Sequence, residues 1–87
     1  MDYKETVEQM LSDDYRERFK AEYYQTKIRH DKLRAFNIKI RSAKIKDEVG
    51  PKHDCPDYLL IEQEQILSEY LKILELRAAI ERIDLTT

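Results

Sequence analysis

The stretch Glu48-Val49-Gly50-Pro51-Lys52-His53-Asp54-Cys55-Pro56 decides the fold, because it holds the chain's only glycine and both of its prolines. Glycine weakens a helix and proline removes a backbone donor, so gathering all three in one place marks a single reversal. On either side lie long amphipathic segments, residues 13–47 and 57–84, with a shorter one over residues 1–11. This pattern predicts an all-α chain: one domain over residues 1–87, a short N-terminal helix and then a long antiparallel helical hairpin. At 1.5 Å per residue each long segment reaches roughly 40–50 Å, so the two can pair along most of their length.

Phe19, Thr26, Leu33 and Ile40 recur every seven residues on the first long helix, and Leu60, Leu67 and Leu74 on the second. These columns are the expected seam. Glu22, Arg29, Phe36 and Ala43 are taken to interleave on one side, and Gln63, Tyr70 and Arg77 on the other, which implies a polar network fixing register. Folding about residues 51–52 sets Phe36 near Leu67, Ile40 near Gln63 and Thr26 near Arg77. Ser12-Asp13-Asp14 supplies N-capping oxygens for the first long helix. Cys55 or Asp54 can cap the second, with Pro56 at its first turn and Asp57 facing the positive helix end.

Charged residues are 39% of the 87-residue chain, close to the size at which a lone core is marginal. Tyr24, Ile28, Ile38 and Ile45, with Ile66, Ile73, Leu76 and Ile80, lie off the seam, where a single hairpin would leave them in water. That surplus predicts self-association, most simply a dimer of hairpins forming a helical bundle. The lone cysteine, and the lack of a membrane-spanning or signal-like run, fit a cytoplasmic protein.

Net charge is −2, but it is unevenly spread: −4 over residues 1–15, +8 over 16–46 and −6 over 47–87. The overall acidity argues against a general nucleic-acid binder. Within the basic segment Lys20, Lys27, Arg34 and Arg41 fall seven apart, with Tyr23, His30 and Asn37 between them and Tyr24 alongside. Such a stripe either pairs with acids of the last helix, such as Glu62 and Glu69, or stays free. Arginine forks, lysine charges and tyrosine faces are what a phosphate-bearing base requires, so a free stripe would suit a small anionic nucleotide. His53 and Cys55 fall short of the three or four ligands of a zinc site, and His30 has no evident catalytic partner. No glycine-rich phosphate loop exists. The expectation is a non-enzymatic protein with no cofactor and no metal.

The run Ser12-Asp13-Asp14-Tyr15-Arg16-Glu17-Arg18-Phe19-Lys20-Ala21-Glu22-Tyr23, then Gln25-Thr26-Lys27 and Arg29, resembles a family of small bacteriophage proteins. So does Cys55-Pro56-x-x-Leu59-Leu60-x-x-Gln63, followed by Glu69-Tyr70-Leu71, Leu74, Arg77-Ala78, Ile80-Glu81 and Ile83. That family, named after an uncharacterised crAss-phage protein, occurs in tailed phages and prophages of Gram-positive bacteria. The resemblance covers residues 12–85 and departs from the family around Lys44–Gly50. It implies phage origin and an accessory role in the infected host cytoplasm, but no mechanism. Small helical phage proteins of this kind often antagonise host defence. Some are oligomeric anti-CBASS sponges that sequester cyclic nucleotide signals. Others, anti-CRISPR-like, inhibit a host defence enzyme by contact, for which Ile66, Glu69, Ile73, Leu76 and Ile80 would be the surface here. A structural or regulatory phage role is the remaining reading.

Overall fold

The computed structural model describes residues 1–86 and contains three helices and no strand among them: α1 (Tyr3–Met10), α2 (Tyr15–Ile45) and α3 (Asp57–Glu81). The body is 49 Å long and 25 by 20 Å across. α2 is the spine. α3 returns along it as the second arm of the hairpin, α1 packs against another part of its surface, and α1 and α3 do not pack on each other.

Local chemistry sets the boundaries. The Asp2 carboxylate accepts the Glu5 amide at 2.8 Å and the Asp14 carboxylate accepts the Arg16 amide at 3.0 Å, each satisfying a free donor of a first helical turn. α2 ends with Asp47 in the left-handed region (φ 56°), which lets the Glu48 amide reach back to the Ala43 carbonyl at 2.8 Å. Gly50 has no positive φ; a Cβ there would sit 3.2 Å from the Ala43 Cβ, so its role is close approach to α2. Pro56 is itself the residue flanking α3, which has no side-chain cap, so neither Cys55 nor Asp54 serves that role. α3 stops at Glu81, three residues short of the expected Asp84. Arg82 turns left-handed (φ 58°), and the Ile83 amide closes on the Ala78 carbonyl at 2.9 Å.

The seam corrects the expected interleaving. Phe19, Thr26 and Ile40 are buried, but the residues between them that face α3 are Tyr23 and Asn37 rather than Glu22, Arg29 or Ala43. On α3 Leu71 and Ala78, not Tyr70 and Arg77, join the fully buried Leu74. Burying Leu74 contributes about 2 kcal/mol. The supposed buried polar network is peripheral: the Tyr70 hydroxyl donates to Glu22, Arg29 donates to the Tyr3 hydroxyl at 2.9 Å, and Arg77 donates to the Tyr15 hydroxyl at 2.7 Å. Arg77 therefore meets Tyr15, about three turns from Thr26. Beyond α3 the chain folds back, burying Ile83 and laying Leu85 against the core, where its carbonyl accepts the Tyr24 hydroxyl.

α1 buries Thr6 and leaves Tyr3, Val7, Met10 and Leu11 exposed. It is tied to α2 through polar groups: Gln25 Nε2 donates to Thr6 Oγ1 at 3.1 Å, and Gln9 Nε2 to Glu17 Oε2 at 2.9 Å. The expected surplus apolar face is exposed at Ile38, Ile45, Ile66, Ile73, Leu76 and Ile80, while Tyr24 and Ile28 are half-buried. It is not one face. Ile38 lines a groove with Ile61 and Gln65. Ile66 and Ile73 flank Tyr70, which lines a trough on the other side of the hairpin with Glu22, Gln25 and Arg29.

Candidate functional site

The basic stripe splits into a used half and a free half. The tyrosines that were to accompany it are structural. Tyr23 is buried, donates its hydroxyl to Glu75 at 2.8 Å, and stacks edge-on with Tyr24 at 5.2 Å between ring centres. Desolvation first, then the Glu75 carboxylate, pushes its pKa up to about 12. Tyr24 is half-buried against the core and donates to the Leu85 carbonyl, so both tyrosines are committed to the fold. His30 is half-buried with Nδ1 3.0 Å from Asp31. Lys20 lies 3.7 Å from Glu17 and Lys27 3.8 Å from Asp31, both within α2. None of the four stripe bases pairs with an acid of α3 among the described residues.

Arg34 and Arg41 are different. They are exposed, form no ion pair among the described residues, and line an open groove of about 500 Å³ between the hairpin-tip halves of α2 and α3. Ile38, Ile40 and Ile61 supply its apolar surface, and Asn37, Lys44, Asp57, Glu64 and Gln65 its polar groups. Both acids in the groove are occupied. Asn37 Nδ2 donates to Glu64 Oε1 at 2.9 Å and to the Leu60 carbonyl at 3.1 Å. Asp57 accepts from Lys44, and its second oxygen lies 2.5 Å from His53 Nε2. These two hydrogen bonds, Lys44 first, hold the Asp57 carboxyl below its usual range. His53 also places Nδ1 2.9 Å from the Pro51 carbonyl, with Phe36 edge-on at 5.8 Å. That carbonyl first, then Asp57, raises the His53 pKa.

The trough on the opposite side, about 400 Å³, also holds two arginines, but Arg18 is bonded to the Ser12 carbonyl and Arg29 to Tyr3. Of the two arginine pairs, only that of the groove has no hydrogen-bond or ion-pair partner among the described residues. The groove is large enough for a small ligand, and its donor forks beside isoleucine surface suit an anion with an apolar part. Reading the stripe as one continuous column misses Lys44, Ile61 and Gln65. Their signal is topological, since all three lie within one or two turns of the hairpin reversal.

A protein-family model described as Sequestin matches residues 13–80. The chain belongs to the Sequestin family. The match spans nearly all of α2 and α3 with the turn between them, so every residue lining the groove lies inside it, whereas α1 and the folded-back tail lie outside. No curated protein and no solved structure matched the chain. Among the described residues no three or more His, Cys, Asp or Glu cluster in a way that could hold a metal ion, and no helix is long and apolar enough to cross a membrane.

Proposed function

We propose that this Sequestin acts without catalysis, by holding a small anionic ligand of the nucleotide class in the groove between α2 and α3. The observation that carries this reading is the pair Arg34 and Arg41, seven residues apart on one helix face, uncommitted beside groove acids that already have partners. A phosphate or pyrophosphate would take the guanidinium forks, and a base or ribose would lie on Ile38 and Ile61. The family name, which denotes sequestration, agrees with a binding role. The phage resemblance supports the finer form of the proposal, in which the ligand is a nucleotide immune signal of an infected host and the protein its sponge.

Isothermal calorimetry against cyclic di- and trinucleotides and ADP-ribose-type signals tests the reading, alongside nucleotide extraction from the purified protein. A submicromolar ligand is expected, weakened at least tenfold by Arg34→Glu or Arg41→Glu with the circular dichroism spectrum unchanged. Lys20→Glu, at the paired end of the stripe, should change affinity less than threefold. A folded protein that binds nothing in the panel and carries no nucleotide refutes it.

A further inference from the structure

We infer that the protein pairs with a second copy of itself through the outer face of α3, the two α3 helices running antiparallel with Ile66 of one copy against the partner's Ile73. The inference does not rest on the ligand reading. Leu59, Ile66, Ile73 and Ile80 fall seven apart and are 43, 59, 54 and 79% exposed. They form a second heptad column on a helix whose first column, Leu60, Leu67 and Leu74, already faces α2. α3 is thus two-seamed, and only one seam is filled within the chain.

The pattern of this face identifies the occupant. Reversing α3 about the point between Glu69 and Tyr70 sets Leu59 opposite the partner's Ile80 and Ile66 opposite the partner's Ile73. The same operation sets Glu62 opposite the partner's Arg77. Because it is two-fold, each contact occurs twice: four apolar pairs and two opposite-charge pairs from one helix sequence. Glu62 makes no ion pair among the described residues. The Arg77 side chain is 48% exposed and binds Glu81 through Nε and Tyr15 through Nη2, which leaves further N–H donors. The Glu62–Arg77 match is the feature that an unrelated partner would not require; the same operation brings Glu69 beside the partner's Tyr70 and Leu76 beside the partner's Gln63. Ile61, Glu64 and Gln65, the α3 wall of the groove, lie on another side of the helix, so the pairing leaves both grooves open.

Sedimentation and light scattering should give about twice the 10.5 kDa chain mass. Ile73→Glu places an unpaired charge in the pairing face. It should raise the dissociation constant at least 100-fold while helicity is retained, and Ile38→Glu in the groove should leave the doubled mass unchanged. Register is tested in a Cys55→Ser background, which removes the only cysteine. Under oxidation, an equimolar mix of Ile66→Cys and Ile73→Cys chains should cross-link, whereas each variant alone should not. A single-chain mass for the wild type at millimolar concentration overturns the inference. So does a doubled mass that survives Ile73→Glu, or Ile66→Cys chains that cross-link to one another.

Discussion

Replacing Asn37 by aspartate changes almost no volume but exchanges two donors for an acceptor, and the structure makes that exchange expensive. Asn37 Nδ2 serves the Leu60 carbonyl at 3.1 Å and the Glu64 carboxylate at 2.9 Å. Losing the neutral bond costs about 1 kcal/mol and the charge-assisted one about 1.5 kcal/mol at this half-buried position. The new carboxylate would then face Glu64 across the seam, and like-charge repulsion there adds on the order of 1 kcal/mol after solvent screening. A loss of about 3.5 kcal/mol at pH 7 is expected, equivalent to a melting temperature lower by roughly 14–28 °C for a domain of this size. The repulsion raises the folded-state pKa of the introduced carboxyl above its unfolded value near 3.9. The penalty should therefore develop as pH rises through that range and shrink to about 1 kcal/mol near pH 4, where the protonated group can donate. Thermal melts by circular dichroism at both pH values, with the wild type alongside, measure this. If Asn37→Asp melts within 2 °C of wild type at pH 7, Asn37 lies on the solvent-facing stripe and the seam assigned to it is wrong.

Arg82→Gly should raise stability. A non-glycine residue at φ 58° costs about 1–2 kcal/mol. Glycine gives back up to about 1 kcal/mol of that through the freer unfolded chain. A net gain of about 0.5 kcal/mol, read as a small rise in denaturation midpoint with an unchanged m-value, is expected; a lower midpoint contradicts the terminating geometry at Ile83. His53 should titrate above 6.5 in an NMR pH series, since a carbonyl and a carboxylate face its two ring nitrogens. The stability it lends the tip is full below the unfolded value and fades as pH rises through the folded one. Asp57, whose pKa is lowered, lends stability above its unfolded value that is lost as pH falls through the folded one. His53→Gln should flatten the upper limb and weaken the lower one less, since Lys44 remains the larger cause of the Asp57 shift; a His53 midpoint at or below 6.5 would contradict the bonding at the tip.

The hairpin was legible because its two strongest signals are local: breakers gathered at 50–56 and columns of leucine and phenylalanine seven apart. The choice between interleaved columns was harder. On α2, residues three after each column position (Glu22, Arg29, Phe36) and four after it (Tyr23, His30, Asn37) offer similar apolar content, and 3.6 residues per turn admits either. α3 breaks the tie. Leu71 and Ala78 are apolar where Tyr70 and Arg77 are mixed, and an antiparallel partner must use the matching offset. Choosing that column moves Tyr23 and Asn37 from a ligand stripe into the seam, which is why the candidate site shrinks to Arg34 and Arg41. The return of Ile83 and Leu85 over Tyr24 was not legible in the same way. It depends on Arg82 adopting a conformation that arginine disfavours, and only the packing around Ile83 repays that.

The position of the groove follows from what α2 has to cover it. α2 is 31 residues long and α3 25, while α1 has only 8. α1 reaches α2 from Glu17 to Arg29, and the tail meets it at Tyr24. α1 and the tail are therefore gathered on its N-terminal half, where Lys20 and Lys27 have local acids and Arg16, Arg18 and Arg29 bond to oxygens of the flanking segments. From Asp31 to Ile45 only α3 and the hairpin turn remain, with His53 against Phe36 and Gly50 against Ala43, and they leave one side of the helix uncovered. A helix this basic must then leave cations in solvent; Lys32 and Lys39 are among them, and Arg34 and Arg41, with Ile38 between them, are those that border the groove. Supplying a neighbouring acid would cancel that charge. An acid placed at residue 38 should accordingly remove anion binding as effectively as losing either arginine, although Ile38 itself carries no charge. Ile38→Asp that binds with wild-type affinity would show that the ligand does not lie in this groove.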